Sequence, residues 1–285
     1  MTDGGGLINL GELSRPATVL IEKISDAIGA IFQPYQIKRL AKAEAEAEKI
    51  RAIAGIEISK VQQRAIIRMI QEEGKRQERI ERISSLAIQD LKLDAKPEKI
   101  ETDWLINFFE KGRLVADFEM QTLWGKILAG EANQPGSFSR RTIELVSYLD
   151  KEDAKIFTSL CKFVWHVREY VPIIVDETLE IYNKQGISFE TLKHLDDLGL
   201  IAYDFHGGYI LKGLSQEVTV HYFGKPVKIR FPKKKGNELE TGKVIFTKAG
   251  RQLVSIAGAA ESDEFFQFTL SEWKKTRILN RLFKW

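Results

Sequence analysis

Few side chains in this sequence are suited to nucleophilic attack, general base work or soft metal ligation. There is one cysteine, Cys161, and four histidines, His166, His194, His206 and His221. No two histidines stand at the i, i+4 spacing that puts a zinc-binding pair on one helical face, and no Cys/His spacing suits a structural zinc site. Cys161 precedes His166 by five residues, off the same face of the helix expected through this stretch, so a thiolate–imidazole couple is not expected. His166, among Phe163, Val164, Trp165 and Val167, reads as a core or boundary side chain. The acidic neighbours Glu152/Asp153 and Asp196/Asp197 are adjacent rather than a turn apart, so they read as caps and solvated positions. Nucleophile-elbow, dinucleotide and kinase signatures are missing. The glycines at Gly130 and Gly136 lack both the Gly-Lys-Ser/Thr ending and the preceding apolar strand of a phosphate loop. The expectation is a non-enzymatic protein with no catalytic, cofactor or metal site.

Charge is the remaining chemistry. Lys225, Lys228, Arg230, Lys233, Lys234 and Lys235 cluster within eleven residues, enough for several phosphate contacts and a strong salt dependence. They are the candidate nucleic-acid or anion contacts. The net charge of +3 conceals an asymmetry. Residues 101–200 hold 11 Lys+Arg against 17 Asp+Glu, whereas residues 201–285 hold 15 against 8. A basic end beside an acidic middle signals either an anionic partner or a match between two parts of one assembly.

The elements that must position these groups begin with an amphipathic helix after Pro16. Val19, Leu20, Ile24, Ile28, Ile31 and Phe32 lie on its apolar stripe, with Ser14 as N-cap and Pro34 limiting the far end. The stripe is expected to meet a partner helix, in the same fold or in an oligomer, or else a membrane interface. Residues 35–96 read as a long helical rod, rich in Ala, Glu, Lys, Arg and Gln, with a break or bend near Gly74. Its apolar spacing does not hold a strict heptad, so a parallel coiled coil is allowed but not demanded. Self-association is the leading reason for a rod of this kind, making a homo-oligomer the expected state.

Residues 97–150 read as an aromatic helical core carrying Trp104, Phe108, Phe109, Met120, Leu123, Trp124 and Ile127, closed by a turn-rich connector in which Ser139 can cap the next helix. Three stretches here, Asp103-Trp104-Leu105-Ile106-Asn107-Phe108-Phe109, Glu119 to Glu131 and Pro135-Gly136-Ser137-Phe138-Ser139-Arg140-Arg141-Thr142, resemble the bacterial domain of unknown function 2806 family. Leu7 to Leu13, Pro16-Ala17 and Lys42 to Lys49 carry the similarity toward the N-terminus. The resemblance implies a bacterial intracellular protein and, through a remote similarity in layout to abortive-infection proteins, a setting in antiphage defence. It carries no catalytic residues with it.

Residues 151–285 read as three helices, Ala154 to Tyr170, Ile173 to Asn183 and Ser188 to Leu198, followed by strands at Tyr209-Ile210-Leu211, Val218 to Phe223, Val227 to Phe231 and Val244 to Phe246, then a helix capped by Thr247. This resembles a winged-helix module. Its third helix offers Glu190, Lys193, His194, Asp196 and Asp197, a face that phosphates would repel. A protein partner is therefore expected of that helix, and nucleic-acid contact only of the basic wing. The whole is mainly α with a small β component: long N-terminal helices (1–34 and 35–96), a helical core (97–150) and a C-terminal winged-helix-like α+β module (151–285). With 44% hydrophobic and 29% charged residues the chain can bury a core. A lone cysteine, no leader pattern and no long apolar run point to the cytoplasm.

Overall fold

The computed structural model describes residues 13–29 and 60–275, which belong to two compact units divided between Ser147 and Tyr148. The described residues are mainly helical, with small antiparallel sheets in the second unit.

In the first unit, α1 (Arg15–Ile28) starts where the sequence indicates. Ser14 Oγ accepts from Ala17 N at 3.4 Å, and Pro16 occupies the first turn. The helix ends earlier than Pro34: Gly29, at φ 65°, takes the left-handed conformation that closes a helix and donates its N–H to the Ser25 carbonyl. Leu20 and Ile24 are fully buried where α1 packs on α3 (Thr102–Gly112). Helix α2 (Lys60–Gln89) runs unbroken through Gly74, so the break expected there does not occur. One mid-helix glycine costs only about 1 kcal/mol relative to alanine, and good helix formers on both sides carry the hydrogen bonding across it. The C-terminal half of α2 buries Ile80, Ile83 and Ala87 against α4 (Phe118–Asn133). Gly125 allows that approach, since a Cβ there would stand 2.7 Å from Leu86 Cβ. Trp104, Phe108 and Trp124 fill the core, with Phe108 5.0 and 4.9 Å from the two indoles. The connector beyond α4 is tied down from inside. Buried Glu131 accepts from Gly136 N at 2.6 Å and Phe138 N at 2.9 Å, while Trp104 Nε1 donates to Phe138 O at 2.7 Å. Ser139 then caps α5 (Arg140–Tyr148), its Oγ accepting from Thr142 N at 3.2 Å.

The second unit opens with α6 (Lys151–Cys161), capped by the reciprocal Asp150/Asp153 box. The helix expected to continue to Tyr170 stops at Cys161. Residues beyond it form a hairpin of β1 (Val164–Val167) and β2 (Glu169–Pro172), turning at Arg168, φ 65°. The physical reason is the β-branched and aromatic run Val164-Trp165-His166-Val167, in which Trp165 and Val167 face inward and His166 outward. The helix expected from Ile173 shrinks to one turn, α7 (Glu180–Asn183), because the Asp176 carboxylate accepts from Thr178 N and Oγ1 at 3.0 and 2.7 Å. That local bonding competes with helix. Helix α8 (Phe189–Asp197) stands as expected between its Ser188 cap and Gly199 at φ 76°.

The strands that follow are β3 (Ile201–Tyr203), β4 (Tyr209–Leu214), β5 (Glu217–Tyr222), β6 (Lys225–Arg230), β7 (Asn237–Gly242) and β8 (Val244–Phe246). β3 pairs with β8 and β4 with β7, making an interrupted two-stranded ribbon. The β5–β6 hairpin leaves that ribbon and joins the β1–β2 hairpin, giving a four-stranded antiparallel sheet in the order β2-β1-β5-β6. Thr247 caps α9 (Lys248–Leu253), Oγ1 accepting from Gly250 N at 3.2 Å. A last helix not anticipated from sequence, α10 (Asp263–Lys275), covers one face of the four-stranded sheet. Trp165 meets Phe266 and Trp273 there at 5.6 and 4.7 Å, and Tyr222 meets Phe265 at 5.8 Å.

Candidate functional site

With α10 over one face, the alternate residues of the four-stranded sheet point to solvent on the other. The register places Tyr170, His166, His221 and Pro226 in one row across the four strands, with Thr219 opposite Lys228 and Glu217 opposite Arg230. The His166 ring lies 5.2 Å from Tyr170 and 6.2 Å from His221. Lys228 and Arg230 are both exposed on the edge strand β6, two residues and so about 6.7 Å apart on one face. Arg230 approaches Glu217 at 3.7 Å, but both side chains are over two-thirds exposed, so the pair contributes little.

The six basic residues singled out by sequence therefore divide. Lys228 and Arg230 share the open face. Lys225 has the opposite parity and is spent on its own fold: its ammonium reaches Glu261 at 2.8 Å and Asp263 at 3.3 Å, 5.8 Å from the Phe266 ring. The Glu261 carboxylate, then Asp263, raises its pKa. Lys233, Lys234 and Lys235 occupy the exposed turn that prolongs β6 towards β7. Asn237 pins that turn, accepting from Lys233 N at 3.1 Å and donating to Lys233 O at 2.7 Å. Sequence reasoning missed Tyr170 and His166 on this face because residues 164–170 read as a helix, and His221, read correctly in a strand, was left without the neighbouring strand that makes it part of a row. The β-branched and aromatic run Val164 to Val167 was the available signal. His166 accordingly is an exposed sheet residue and not a core histidine.

The α8 face is acidic in fact as well as in sequence. Lys193 is held between Asp197 and Asp196, 2.9 Å from each, and its pKa is pushed up to about 12. Its one fixed cation is thus engaged by its own helix. His194 Nε2 lies 2.6 Å from Asp153 Oδ1, an ion-pairable contact between α8 and the start of α6.

A second polar cluster sits where the loop after β2 meets the ribbon. Glu177, 3% exposed, receives Lys243 Nζ at 2.9 Å and the Tyr203 hydroxyl at 2.9 Å, and Lys243 also stands 5.1 Å from the Phe205 ring. Burial alone would raise the Glu177 pKa; the hydrogen bonds from Lys243 and Tyr203 overcome it and hold the carboxyl below its ordinary value. The Tyr203 phenol is pushed up by burial and by Glu177. Beside the cluster, Gly242 at φ 91° is obligatory, since a Cβ would collide with the Ile174 carbonyl. The arrangement clamps loop to ribbon. Nothing in the sequence marks it, as Lys243 and Glu177 are 66 residues apart.

Cys161 is buried and its thiol pKa is driven up by desolvation, which disfavours the thiolate. Among the described residues, no group of three or more His, Cys, Asp or Glu side chains could hold a metal ion, and no helix is long and apolar enough to cross a membrane.

The apolar candidates separate too. Leu20 and Ile24 are in the core of the first unit, Val19 and Ile28 are half-buried beside them, and Ile31 and Phe32 lie outside the described residues. An interfacial membrane role would need Leu20 and Ile24 at the surface, and packing on α3 has consumed them. Unspent apolar surface appears instead on α2, where Val61, Ile67, Met69 and Ile70 are 65%, 56%, 62% and 64% exposed.

A family model described as "Protein of unknown function (DUF2806)" matches residues 63–269. The chain belongs to this family. The DUF2806 match runs from the first turn of α2 into α10, so the open sheet face, the α8 face and the Glu177 clamp all lie inside it, and α1 lies before it. No curated protein and no solved structure matches the chain.

Proposed function

We propose that this DUF2806 protein is a non-enzymatic interaction protein that self-associates through the N-terminal half of α2 and presents its C-terminal unit to a protein partner. The observation carrying the reading is that one 30-residue helix is buried at one end and exposes Val61, Ile67, Met69 and Ile70 at the other. Ile67 and Ile70, three residues apart, are neighbours on one side of the helix, and adjoining apolar side chains on an exposed surface mark an interaction site, whereas scattered ones do not. Intrinsic propensity alone maintains a helix in water poorly, so an extended amphipathic one is best explained by packing against a partner.

The C-terminal unit supports the partner half of the reading. Three helices, α6, α7 and α8, precede the β3–β8 ribbon in a winged-helix-like order, and the exposed face of α8 carries Glu190, Asp196 and Asp197 around one engaged lysine. An acidic recognition surface suits a basic protein patch and repels phosphates. The setting proposed for this activity, bacterial antiphage defence in the cytoplasm, rests on the resemblance in layout to abortive-infection proteins, and phage plating on cells with and without the gene tests it.

The direct experiment replaces Ile67 and Ile70 with Glu and follows mass by light scattering across micromolar concentrations. The variant is expected to lose the self-association of the parent while keeping its helical content. A parent that is monomeric throughout, or a variant that assembles as the parent does, overturns the reading.

A further inference from the structure

Beyond that reading, we infer that the open face of the β2-β1-β5-β6 sheet is a binding site for single-stranded nucleic acid. Two independent features converge on it. The first is a row of rings, exposed Tyr170 and His166 and half-buried His221, placed side by side by the strand register, with ring centroids 5.2 and 6.2 Å apart. Rings standing on a sheet offer flat apolar surfaces on which unpaired bases stack, a sequence-tolerant contact because every base has a π-face. The second is the edge beside them. Lys228 and Arg230 project from β6 on the same face, and the strand runs on into the exposed Lys233, Lys234 and Lys235 turn.

The charge on this face is one-sided. Glu217 is the one carboxylate the register places among these residues, opposite Arg230, and its 3.7 Å contact is solvent-exposed enough to yield to a phosphate. Rings in the middle and on β2, with cations along β6 and its continuation, let the bases lie inward and the backbone track the edge. A duplex meets this surface less well, since its bases are stacked on each other and cannot reach the rings. The acidic face of α8 gives no alternative phosphate track.

The test is fluorescence anisotropy of the full chain with labelled oligo(U) and oligo(dT) of about 20 nucleotides, and with a duplex of the same length, from about 50 to 200 mM salt. Binding to either strand, tighter than to the duplex, supports the site, and the preferred strand identifies RNA or DNA as its natural source. Replacing Lys228 and Arg230 with Glu should weaken binding at least tenfold at low salt. It should also make the slope of log affinity against log salt shallower by about 1.4, at about 0.7 per lost phosphate contact. Replacing His166 and Tyr170 with Ala should weaken binding by about tenfold without changing that slope. Lys248→Glu with Lys274→Glu removes the same charge from exposed positions off this face and should leave affinity within about twofold at physiological salt, where exposed charges beyond a Debye length are largely screened. Thermal unfolding of each variant confirms that it is folded. No binding by the parent at low salt, a duplex bound as tightly as a single strand, an unaffected ring variant, or a control as damaging as the face variant would each overturn the inference.

Discussion

Replacing Lys243 with Met isolates the Glu177 clamp. The substitution keeps most of the aliphatic stem and removes the ammonium that lies 2.9 Å from a carboxylate buried to 3% exposure. Removing one partner of a buried pair costs about 3–5 kcal/mol, chiefly because the remaining charge is uncompensated. Lys243 is about one-fifth exposed and the Tyr203 hydroxyl still donates to Glu177, so the cost falls at or just below the bottom of that range, about 2–3 kcal/mol near neutral pH. The pH dependence is more diagnostic than the size. In the parent, Glu177 has a folded pKa below its unfolded value, so the unfolded chain binds more protons in the acid range. The clamp's stabilisation is therefore present above pH 4.5 and is lost as pH falls through and below that value. In Lys243→Met, burial is opposed only by the hydrogen bond from Glu177's own backbone and by Tyr203, and the folded carboxyl moves upward. The variant should then gain stability, relative to the parent, as pH falls from neutral towards about 5. Glu177→Gln combined with Lys243→Met should recover most of the loss. Urea unfolding at both pH values, followed by the fluorescence of Trp165 and Trp273, reads all three proteins. A loss below about 0.5 kcal/mol, or one independent of pH, would refute the clamp.

Four further outcomes follow from the same geometry. Glu131→Ala leaves the buried Phe138 N–H and the Gly136 N–H without their acceptor and should cost about 2–3 kcal/mol, with faster amide exchange at residues 136–138. Burial raises the Glu131 pKa above 4.5 against three backbone hydrogen bonds, so this residue's contribution to stability falls as pH rises through and above that value, the opposite sign to Glu177; comparing parent and Glu131→Gln over that range measures it. Gly125→Val should destabilise the first unit by about 1–3 kcal/mol in urea unfolding, because even a Cβ meets Leu86 at 2.7 Å. Cys161 should resist alkylation by iodoacetamide in the native protein and react promptly in denaturant, being 2% exposed with a raised thiol pKa.

Legibility from sequence followed the range of the interactions. Helix caps are local, and Ser14, Ser139 and Thr247 all accept the backbone N–H that their positions suggested. The aromatic core around Trp104, Phe108 and Trp124 was legible from 3.6-residue spacing for the same reason. Failures came where two periods compete or where partners are far apart. Val164 to Val167 carries apolar residues dense enough for either a helix or a strand, and only its pairing with β2 and β5 decides between them. That one misassignment hid Tyr170 and His166 and left His221, Lys228 and Arg230 without the surface they border. Lys225 had the right charge but the wrong strand parity. Gly74 was given more weight as a breaker than a single glycine in a long helix has. Helix α10 was recoverable from Phe265, Leu270 and Trp273 at helical spacing, after Ser262, whose hydroxyl accepts from Phe265 N.

The central claim is that the exposed end of α2 joins chains together. Sedimentation velocity of the full chain from low to high micromolar concentration tests it most directly. Self-association through α2 gives a species whose mass is a multiple of the 32.5 kDa chain and which dissociates to one chain when Ile67 and Ile70 become Glu. A single 32.5 kDa species for the parent at every concentration would contradict it.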